Sequence, residues 1–298
     1  MSNNIKYLLG IDGGGTKTEF LLTDSNGKEI KRLILGGSNP VSTSIENTYC
    51  VLNNGIKELC EGMNLSEISV YAGIAGAKSE DNQQLINTFL SKFGFAACDC
   101  GSDVDLALEV ALKSENGVAV IMGTGIVAFA RSGGNLHRSG GRGYMIDKGG
   151  SGFHFGSEAL NSAFEYIDGR GGSETILKLV ENKLGKRLES SVTEIYSGGA
   201  SYVASFAPAV FEAFRLGDSA ASEIIERNIY EAAKIINGAR KSVNKNDKKT
   251  VICGGLCKQK EILYPFLMKY IEGDFSLEFL DEPTVNGAIS LAGRMNIC

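Results

Sequence analysis

The first residues that could do chemistry are three glycines set among hydroxyls and charged side chains. They lie in LLGIDGGGTKTEFLLTD, residues 8–24. Apolar residues on both sides of Gly13, Gly14 and Gly15 predict two strands joined by a turn with a bare backbone. Main-chain N–H groups in such a turn can approach an anion unhindered. The stretch therefore predicts a phosphate site.

The neighbours of this turn also suit a nucleotide. Thr16, Lys17 and Thr18 supply two hydroxyls and an ammonium, and Asp12 supplies a carboxylate just before the glycines. A P-loop is excluded because it needs glycine directly before the lysine and a helix after it, whereas a strand pattern follows here. A dinucleotide fingerprint is excluded because no helix opens after the glycines. An ordinary hairpin shaped by glycine remains the alternative.

A second stretch repeats this pattern about 110 residues later. VAVIMGTGIVAFAR, residues 118–131, is an apolar run, the turn Gly123, Thr124, Gly125, and another apolar run. Two such hairpins predict a duplicated design, in which two lobes face each other across a nucleotide.

Composition limits the partners. A chain of 298 residues is long enough for two lobes. The net charge of −5 and the lack of a long basic run argue against nucleic acid or an anionic membrane as partner. The first residues contain no hydrophobic signal core, and no apolar run approaches the roughly 20 residues that cross a bilayer. We expect a cytoplasmic protein that acts on a small molecule.

The cysteines do not predict a metal site. The chain has seven cysteines and two histidines, with Cys98/Cys100 and Cys253/Cys257 as its close cysteine pairs. A zinc site would have to be assembled from scattered thiols. We expect free thiols in a reducing compartment.

The two hairpins resemble the phosphate motifs of the superfamily that joins acetate and sugar kinases, the heat-shock chaperone ATPase and actin. Within it, the chain is most similar to the N-acetylglucosamine kinase group, which also contains the activator ATPases of benzoyl-CoA reductase and 2-hydroxyacyl-CoA dehydratase. The resemblance implies a two-lobed α/β fold of the ribonuclease H-like or actin-like type, with a mixed sheet and helices in each lobe and ATP in the cleft. It places the N-terminal lobe at 1–112, completed by a C-terminal helix at 284–298, and the C-terminal lobe at 113–283.

The resemblance also implies a catalytic aspartate at a strand-to-helix junction. Asp103 stands at that junction, and Asp105 is the second choice. Capping of the helix is the alternative role for Asp103, since a carboxylate is favoured at a helix N-terminus. The kinase reading has Asp103 take a proton from the sugar's primary hydroxyl as that oxygen attacks ATP. Mg²⁺ would be held through water by Asp12.

Two segments would contact the sugar. Ser38 and Asn39 stand where the sugar kinases have a Ser/Thr-Asn pair, although asparagine is also common in a turn before proline. The glycine-rich segment 140–157 resembles the substrate segment of the amino-sugar kinases, in which Gly-Trp-Gly precedes Asp-Glu-Gly-Ser.

This chain departs from that pattern at the charged positions. Gly141, Arg142 and Gly143 correspond to Gly-Trp-Gly, so an arginine replaces the tryptophan. Lys148 and Gly149 fall on the acidic pair and Asp147 lies one residue early, which leaves Asp147 as a candidate sugar ligand. Two solvated charges on a loop are the alternative for Arg142 and Lys148.

The last motif is a strand from Thr250 to Cys253 that ends in Gly254 and Gly255, which resembles the family's adenosine motif. The chain therefore resembles a kinase that uses ATP and Mg²⁺ to phosphorylate the 6-hydroxyl of N-acetylglucosamine. N-acetylmuramic acid carries an additional lactyl carboxylate, and an arginine can bind a carboxylate through two parallel hydrogen bonds. Arg142 thus predicts that the muramic sugar is accepted too, as in peptidoglycan recycling. A glucosamine kinase and an activator ATPase are the alternatives, and the resemblance also implies a homodimer.

Overall fold

The computed structural model describes residues 5–79 and 81–295, which group into two compact units. The described residues up to Ser114, together with those from Glu282 onward, form the first unit, and Glu115–Asp281 form the second. Each unit has one five-stranded sheet and its own hydrophobic core.

The sheet of the first unit contains both predicted strands of the first hairpin. Its strands are β1 (Tyr7–Gly13), β2 (Lys17–Asp24), β3 (Glu29–Gly36), β4 (Ile68–Ile74) and β5 (Ala97–Gly101). The order is β3-β2-β1-β4-β5, with β1, β2 and β3 antiparallel and β4 and β5 parallel to β1. The predicted hairpin is confirmed, and β3 extends it into an antiparallel meander.

Three helices pack beside this sheet: α1 (Ile45–Leu59), α2 (Asn82–Ser91) and α3 (Asp103–Leu112). A short 3₁₀ turn, Leu65–Glu67, precedes β4. Alternate strand residues such as Ile11 and Phe20 are fully buried, as are Leu52 and Ile56 on one face of α1. One face of the sheet, formed by every second strand residue, and one face of α1, formed by every third or fourth residue, therefore share one core.

The second unit repeats the topology of the first. Its strands are β6 (Gly117–Met122), β7 (Ile126–Ser132), β8 (Asn135–Gly140), β9 (Lys249–Cys253) and β10 (Ser276–Leu280). β6, β7 and β8 form an antiparallel meander, and β9 and β10 continue the sheet parallel to β6 in the order β10-β9-β6-β7-β8. The predicted duplication is confirmed at the level of each sheet.

Helices supply most of the second unit's core. They are α4 (Gly152–Ile167), α5 (Glu174–Leu184), α6 (Val192–Ser197), α7 (Gly199–Ala204), α8 (Ala207–Arg215), α9 (Ser219–Arg240) and α10 (Lys260–Tyr270), with 3₁₀ turns at Leu188–Ser191 and Gly255–Gln259. Within the described chain, no helix combines the length and apolar content that crossing a membrane requires.

Helix α4 begins within the glycine-rich segment 140–157. Ser151 caps it by accepting a hydrogen bond from the N–H of His154. Two glycines in its first turns, which favoured a loop in the sequence, are used for close packing instead. A side chain at Gly156 would overlap the carbonyl oxygen of Val203 in α7.

The last helix, α11 (Val285–Arg294), packs on β1 and α3 of the first unit. A Cβ atom at Gly10 would lie 2.9 Å from the carbonyl oxygen of Val285, and one at Gly287 would overlap that of Leu106. Near its end, Ser290 donates a 2.6 Å hydrogen bond to the buried Glu109 of α3. Positions 296–298 of the predicted helix 284–298 lie outside the described residues.

Candidate active site

One edge of the first sheet collects the predicted phosphate and sugar residues of this unit. Because β1, β4 and β5 are parallel, their C-terminal ends meet at the same edge, where α/β sheets bind ligands. Asp12 is next to last in β1, Gly76 follows β4 and Asp103 follows β5. The charge of Asp103 contributes to a raised pKa of Asp12, so the two carboxylates are close enough to interact.

The first glycine turn is held by backbone hydrogen bonds. The N–H of Gly14 donates to the carbonyl of Lys17 at 2.9 Å, which closes the turn. Its own carbonyl accepts from the N–H groups of Ser38 at 2.9 Å and Asn39 at 3.2 Å. The loop after β3 therefore fixes the turn's position.

The side chains of Thr18 and Ser38, both predicted to bind a ligand, help to hold the glycine turn against the loop after β3. Thr18 and Ser38 are both fully buried. The hydroxyl of Thr18 donates to the carbonyl of Gly36 at 2.8 Å and lies 2.8 Å from Ser38 Oγ. Thr16 and Lys17 are exposed, so they are the polar side chains of this turn that a phosphate can reach.

Asn39 is better placed than Ser38 to bind a sugar. Its Oδ1 accepts a 2.9 Å hydrogen bond from the N–H of Val41. A side chain at Gly76, whose φ is +79°, would lie 2.5 Å from that oxygen, so only glycine permits the approach. The Nδ2 group makes no hydrogen bond within residues 5–79 and 81–295, and it can donate to a ligand.

Asp12 is partly buried and has one structural partner. The hydroxyl of Thr284 donates to its Oδ2. Burial raises the pKa of Asp12, the Thr284 hydrogen bond lowers it, and the nearby Asp103 and Glu19 raise it again, with a net upward shift.

Both carboxylate oxygens of Asp105, the second choice for the catalytic base, have partners in the protein. Oδ2 accepts from the backbone N–H of Ser102 at 2.8 Å and from its hydroxyl at 2.9 Å, which completes a capping box at the start of α3. Oδ1 pairs with the Lys78 ammonium at 2.8 Å. Burial favours a higher pKa of Asp105, but Lys78 and Ser102 lower it below its usual value.

Asp103 has none of these side-chain partners. Its Oδ1 accepts a 3.0 Å hydrogen bond from the N–H of Val104, and no lysine or arginine pairs with it in the described residues. The capping role proposed as its alternative belongs to Ser102 and Asp105. Asp103 keeps access to solvent, but protein atoms around its carboxylate displace part of its hydration and raise its pKa. The charge of Asp105 adds to the rise. An unpaired carboxylate with a raised pKa suits a general base.

The first unit also fits a hydrated Mg²⁺ ion. Among the described residues, no three acidic, histidine or cysteine side chains cluster as a metal cage. Mg²⁺ usually keeps several waters and takes one or two carboxylates plus substrate phosphates. Asp12, with Oδ2 held by Thr284, offers one further carboxylate oxygen for such a contact.

The second glycine turn is attached to helix α4. The N–H of Gly123 donates to the carbonyl of Gly125 at 2.9 Å. The carbonyls of Gly123 and Thr124 accept from the N–H groups of Gly152 at 2.7 Å and Phe153 at 3.1 Å. Side chains at Gly123 and Gly125 would point into open space, which leaves their backbone accessible.

A cavity of about 470 Å³ in the second unit joins this turn to the predicted adenosine motif. Gly123 and Thr124 line one end and Gly255 another, with α7 and α8 between them. Its walls include polar and apolar side chains: Ser201, Ser205, Lys258, Gln259, Ala204, Pro208, Phe211 and Leu256. Gly254 has a φ of +103°, and a Cβ there would lie 2.6 Å from the carbonyl of Met122. The size is in the usual range for a small-ligand site.

In the glycine-rich loop, Asp147 organises the backbone. Its Oδ2 accepts from the N–H groups of Arg142 at 2.8 Å and Gly143 at 3.2 Å. His154 Nε2 lies 2.7 Å from its carbonyl oxygen. One carboxylate oxygen of Asp147, the residue predicted to contact the sugar, is thus already bound by N–H groups of its own loop.

The two cations of this loop have different surroundings. Lys148 lines a polar hollow of about 340 Å³ with Glu158 and Glu231. The Arg142 guanidinium is exposed and makes no ion pair with any described side chain. Both cations are exposed and neither forms an ion pair with a described side chain, so the glutamates of the hollow are what distinguish Lys148 from Arg142.

Thr284 and Lys78, which contact the predicted site residues Asp12 and Asp105, were not predicted from the sequence. A threonine before a helix signals an N-cap, yet Thr284 makes no capping hydrogen bond and contacts Asp12 instead. Lys78 follows β4 without any local pattern that points to Asp105.

Two sheets of identical order, each with a glycine turn in its first hairpin, define an actin-like ATP-dependent enzyme. The chain belongs to the BadF/BadG/BcrA/BcrD ATPase family, whose model matches residues 9–289. This confirms the predicted family and its use of ATP.

The similar proteins include two kinases. An N-acetylmuramic acid/N-acetylglucosamine kinase from Clostridium acetobutylicum is 29% identical over 278 residues, 90% of each chain. An N-acetyl-D-glucosamine kinase from Dictyostelium discoideum is 27% identical and covers 95% of this chain and 97% of its own. The crystal structure of a candidate N-acetylglucosamine kinase from Chromobacterium violaceum, 23% identical, superposes with a TM-score of 0.73 over 97% of this chain and 99% of that one. The predicted α/β fold of actin-like sugar kinases is confirmed.

Proposed function

We propose that this protein is an ATP-dependent kinase that phosphorylates the 6-hydroxyl of N-acetylglucosamine and of N-acetylmuramic acid. The observation that carries a kinase activity is Asp103, a carboxylate without a cationic partner at the sheet edge that also holds the first glycine turn. The two similar kinases are named for amino-sugar substrates, which supports an amino sugar as the acceptor.

The glycine turns are the proposed phosphate sites. Backbone N–H groups of residues 13–18 and 123–125 bind the phosphates of ATP, except those of Gly14 and Gly123, which close the two turns. Thr16 and Lys17 are the side-chain donors. Gly255 lines the cavity that takes the adenosine, and Gly254 precedes it in the same turn. Mg²⁺, contacted through water by Asp12, neutralises charge on the phosphates.

The sugar is positioned for direct attack on the γ-phosphorus. In the first unit Asn39 donates to a sugar hydroxyl, and in the second unit the loop with Gly141, Arg142 and Gly143 is the other proposed sugar contact. Ser38 and Asp147 hold these two segments in shape. Asp103 accepts the proton of the primary hydroxyl as the new P–O bond forms and the bond to ADP breaks.

A panel of sugars in a coupled assay of ADP release tests this proposal. We expect ADP release that depends on N-acetylglucosamine or N-acetylmuramic acid and a product phosphorylated at position 6. Preference for glucosamine would favour that alternative. ADP release that is independent of any sugar would contradict the kinase proposal.

Substitution of Arg142 tests the proposed recognition of the lactyl carboxylate. Charge-assisted hydrogen bonds contribute roughly 1.5–3 kcal/mol, which corresponds to about tenfold or more in affinity. We expect Arg142→Ala to lower kcat/KM for N-acetylmuramic acid by at least about tenfold relative to kcat/KM for N-acetylglucosamine. Lys148→Ala is the matched control because Lys148 has acidic neighbours of its own. Equal losses on both sugars, or the same selectivity change in the control, would assign Arg142 no role in the carboxylate contact.

The group that the sequence resembles also contains activator ATPases, which bind an iron–sulfur cluster through cysteines. An iron-dependent function is therefore the second candidate. It would need reactive thiols, yet four of the six described cysteines are buried. Burial raises the pKa of Cys100 to about 12 and that of Cys257 to about 11, which keeps both protonated at neutral pH.

We therefore expect alanine replacement of Cys98, Cys100, Cys253 and Cys257 to leave kcat within about twofold, because each close pair contains a buried, protonated thiol, Cys100 or Cys257, which is a poor ligand and nucleophile. Thermal stability should fall, since buried sulfur atoms are lost from both cores. Activity and the absorption spectrum are measured together. Loss of a visible iron band along with activity would support the activator ATPase.

We further propose a homodimer that functions in the recycling of cell-wall sugars. Sedimentation equilibrium should give twice the chain mass of 31.7 kDa. A monomeric mass at micromolar concentration would contradict the dimer and leave the kinase proposal unaffected.

A further inference from the structure

Thr284 stands at the N-cap position of α11 but does not cap that helix. N-cap threonines usually accept a hydrogen bond from the second or third N–H of the helix. Thr284 makes no such bond, and its φ of −60° is already helical. Its hydroxyl donates to Oδ2 of Asp12 instead, across 272 positions of sequence.

The packing of α11 fixes the place of this hydroxyl. Gly10 of β1 lets the helix approach so closely that a Cβ atom there would lie 2.9 Å from the carbonyl of Val285. At the other end of α11, Ser69 of β4 donates a 2.8 Å hydrogen bond to the carbonyl of Ala292, in a fully buried contact. The sheet thus sets the position of Thr284 independently of Asp12.

Asp12 needs a neutral donor at this point. The charges of Asp103 and Glu19 disfavour its ionised form, and Lys17 favours it. Lys17 is exposed and lies 3.7 Å from Glu19, with which it pairs. A carboxylate whose two oxygens were both free could rotate between these groups. A hydrogen bond on Oδ2 removes that freedom and leaves Oδ1 as the oxygen that meets a ligand.

We propose that Thr284 is a positioning residue for the metal-bound nucleotide: its hydroxyl orients the Asp12 carboxylate so that Oδ1 faces the water shell of Mg²⁺. This inference rests on the proposed function only for the binding of Mg²⁺ with the nucleotide, and it is independent of which sugar is phosphorylated. Partners that orient metal-contacting side chains typically change metal affinity by 10–100-fold when removed.

The experiment measures ADP binding by calorimetry, with and without Mg²⁺, in Thr284→Val, Thr284→Ser and Ser69→Ala. Valine keeps the shape of threonine and removes the donor. We expect Thr284→Val to reduce the Mg²⁺-dependent gain in ADP affinity by about tenfold and to change metal-free ADP affinity by less than about twofold. Thr284→Ser should restore the gain.

Ser69→Ala is the matched control for simple loosening of α11. It removes a buried hydrogen bond to the same helix without touching Asp12, so it should lower Tm and keep the full effect of Mg²⁺. A normal Mg²⁺ effect in Thr284→Val would overturn the inference. So would an equal loss with and without metal, or the same loss in Ser69→Ala.

Sugar-free binding separates this inference from the kinase proposal. If no sugar stimulates ADP release while the variants behave as expected, the kinase proposal fails and the positioning role of Thr284 stands. If sugar phosphorylation is normal and Thr284→Val keeps the full effect of Mg²⁺, the positioning role of Thr284 fails and the kinase proposal stands.

Discussion

We expect Asp103→Asn to lower kcat by about 10² to 10⁴, the usual contribution of a general base. The amide keeps the size of the carboxylate and its contact with the N–H of Val104, but it cannot accept a proton. ADP affinity should stay within about twofold, because Asp103 is not proposed to contact the nucleotide. Steady-state kinetics and calorimetry on the same preparation measure both quantities.

The pH dependence provides a second readout of the same variant. A raised pKa means that Asp103 takes up its proton at a higher pH than an ordinary carboxyl group. As pH falls, kcat/KM should therefore decline before the usual carboxyl range is reached. Stability has the opposite sign: a raised folded-state pKa favours folding at low pH and costs stability as pH rises through it. Asp103→Asn should not lower Tm at neutral pH.

Asp105→Asn is the matched control for Asp103. Its oxygens cap α3 and pair with Lys78, so this variant should lose about 1 kcal/mol of folding free energy, as expected for a lost cap. Its kcat should fall far less than that of Asp103→Asn. If Asp105→Asn were inactive and Asp103→Asn retained wild-type turnover, Asp103 would not be the base.

Local pattern was enough to predict the two hairpins. In both, an apolar strand, a glycine turn and a second apolar strand follow one another within about 15 residues, so burial and turn chemistry are both visible in the sequence. Strands β8 and β10 were not predicted. Both lie at sheet edges. Strand β8 has mostly exposed polar residues, so no apolar alternation marks it. Strand β10 does alternate, with Leu277 and Phe279 between polar residues, but it is only five residues long.

The site contacts were less predictable because they join distant segments. The sequence predicted Asp103 ahead of Asp105 through resemblance alone, and the physical distinction is the Lys78 ion pair, 27 positions away. Ser38 and Thr18 were both predicted as ligand residues, yet their hydroxyls meet each other in a buried contact. Which polar side chain faces a ligand and which supports the fold depends on tertiary packing, which spacing does not encode.

The close contact between the first glycine turn and the loop after β3 predicts a large effect for Gly37→Ala. A Cβ atom at Gly37 would overlap the carbonyl oxygen of Gly15 and lie 2.6 Å from its carbonyl carbon. Backbone atoms cannot rotate away as a side chain can, so the turn must move from Ser38 and Asn39, whose N–H groups bond to Gly14. We expect a loss of about 1–3 kcal/mol in folding free energy, the usual cost of overpacking.

Nucleotide affinity should fall with it, since the same displacement moves the N–H groups proposed to bind phosphate. We expect ADP to bind at least about tenfold more weakly to Gly37→Ala, the equivalent of 1.4 kcal/mol. Gly36→Ala is the matched control: the neighbouring glycine has no atom within 4 Å of an added Cβ, and neither glycine has a positive φ. Calorimetry and thermal unfolding should therefore find Gly36→Ala close to wild type. Equal ADP affinity in the two variants would mean that the loop after β3 does not set the geometry of the phosphate turn.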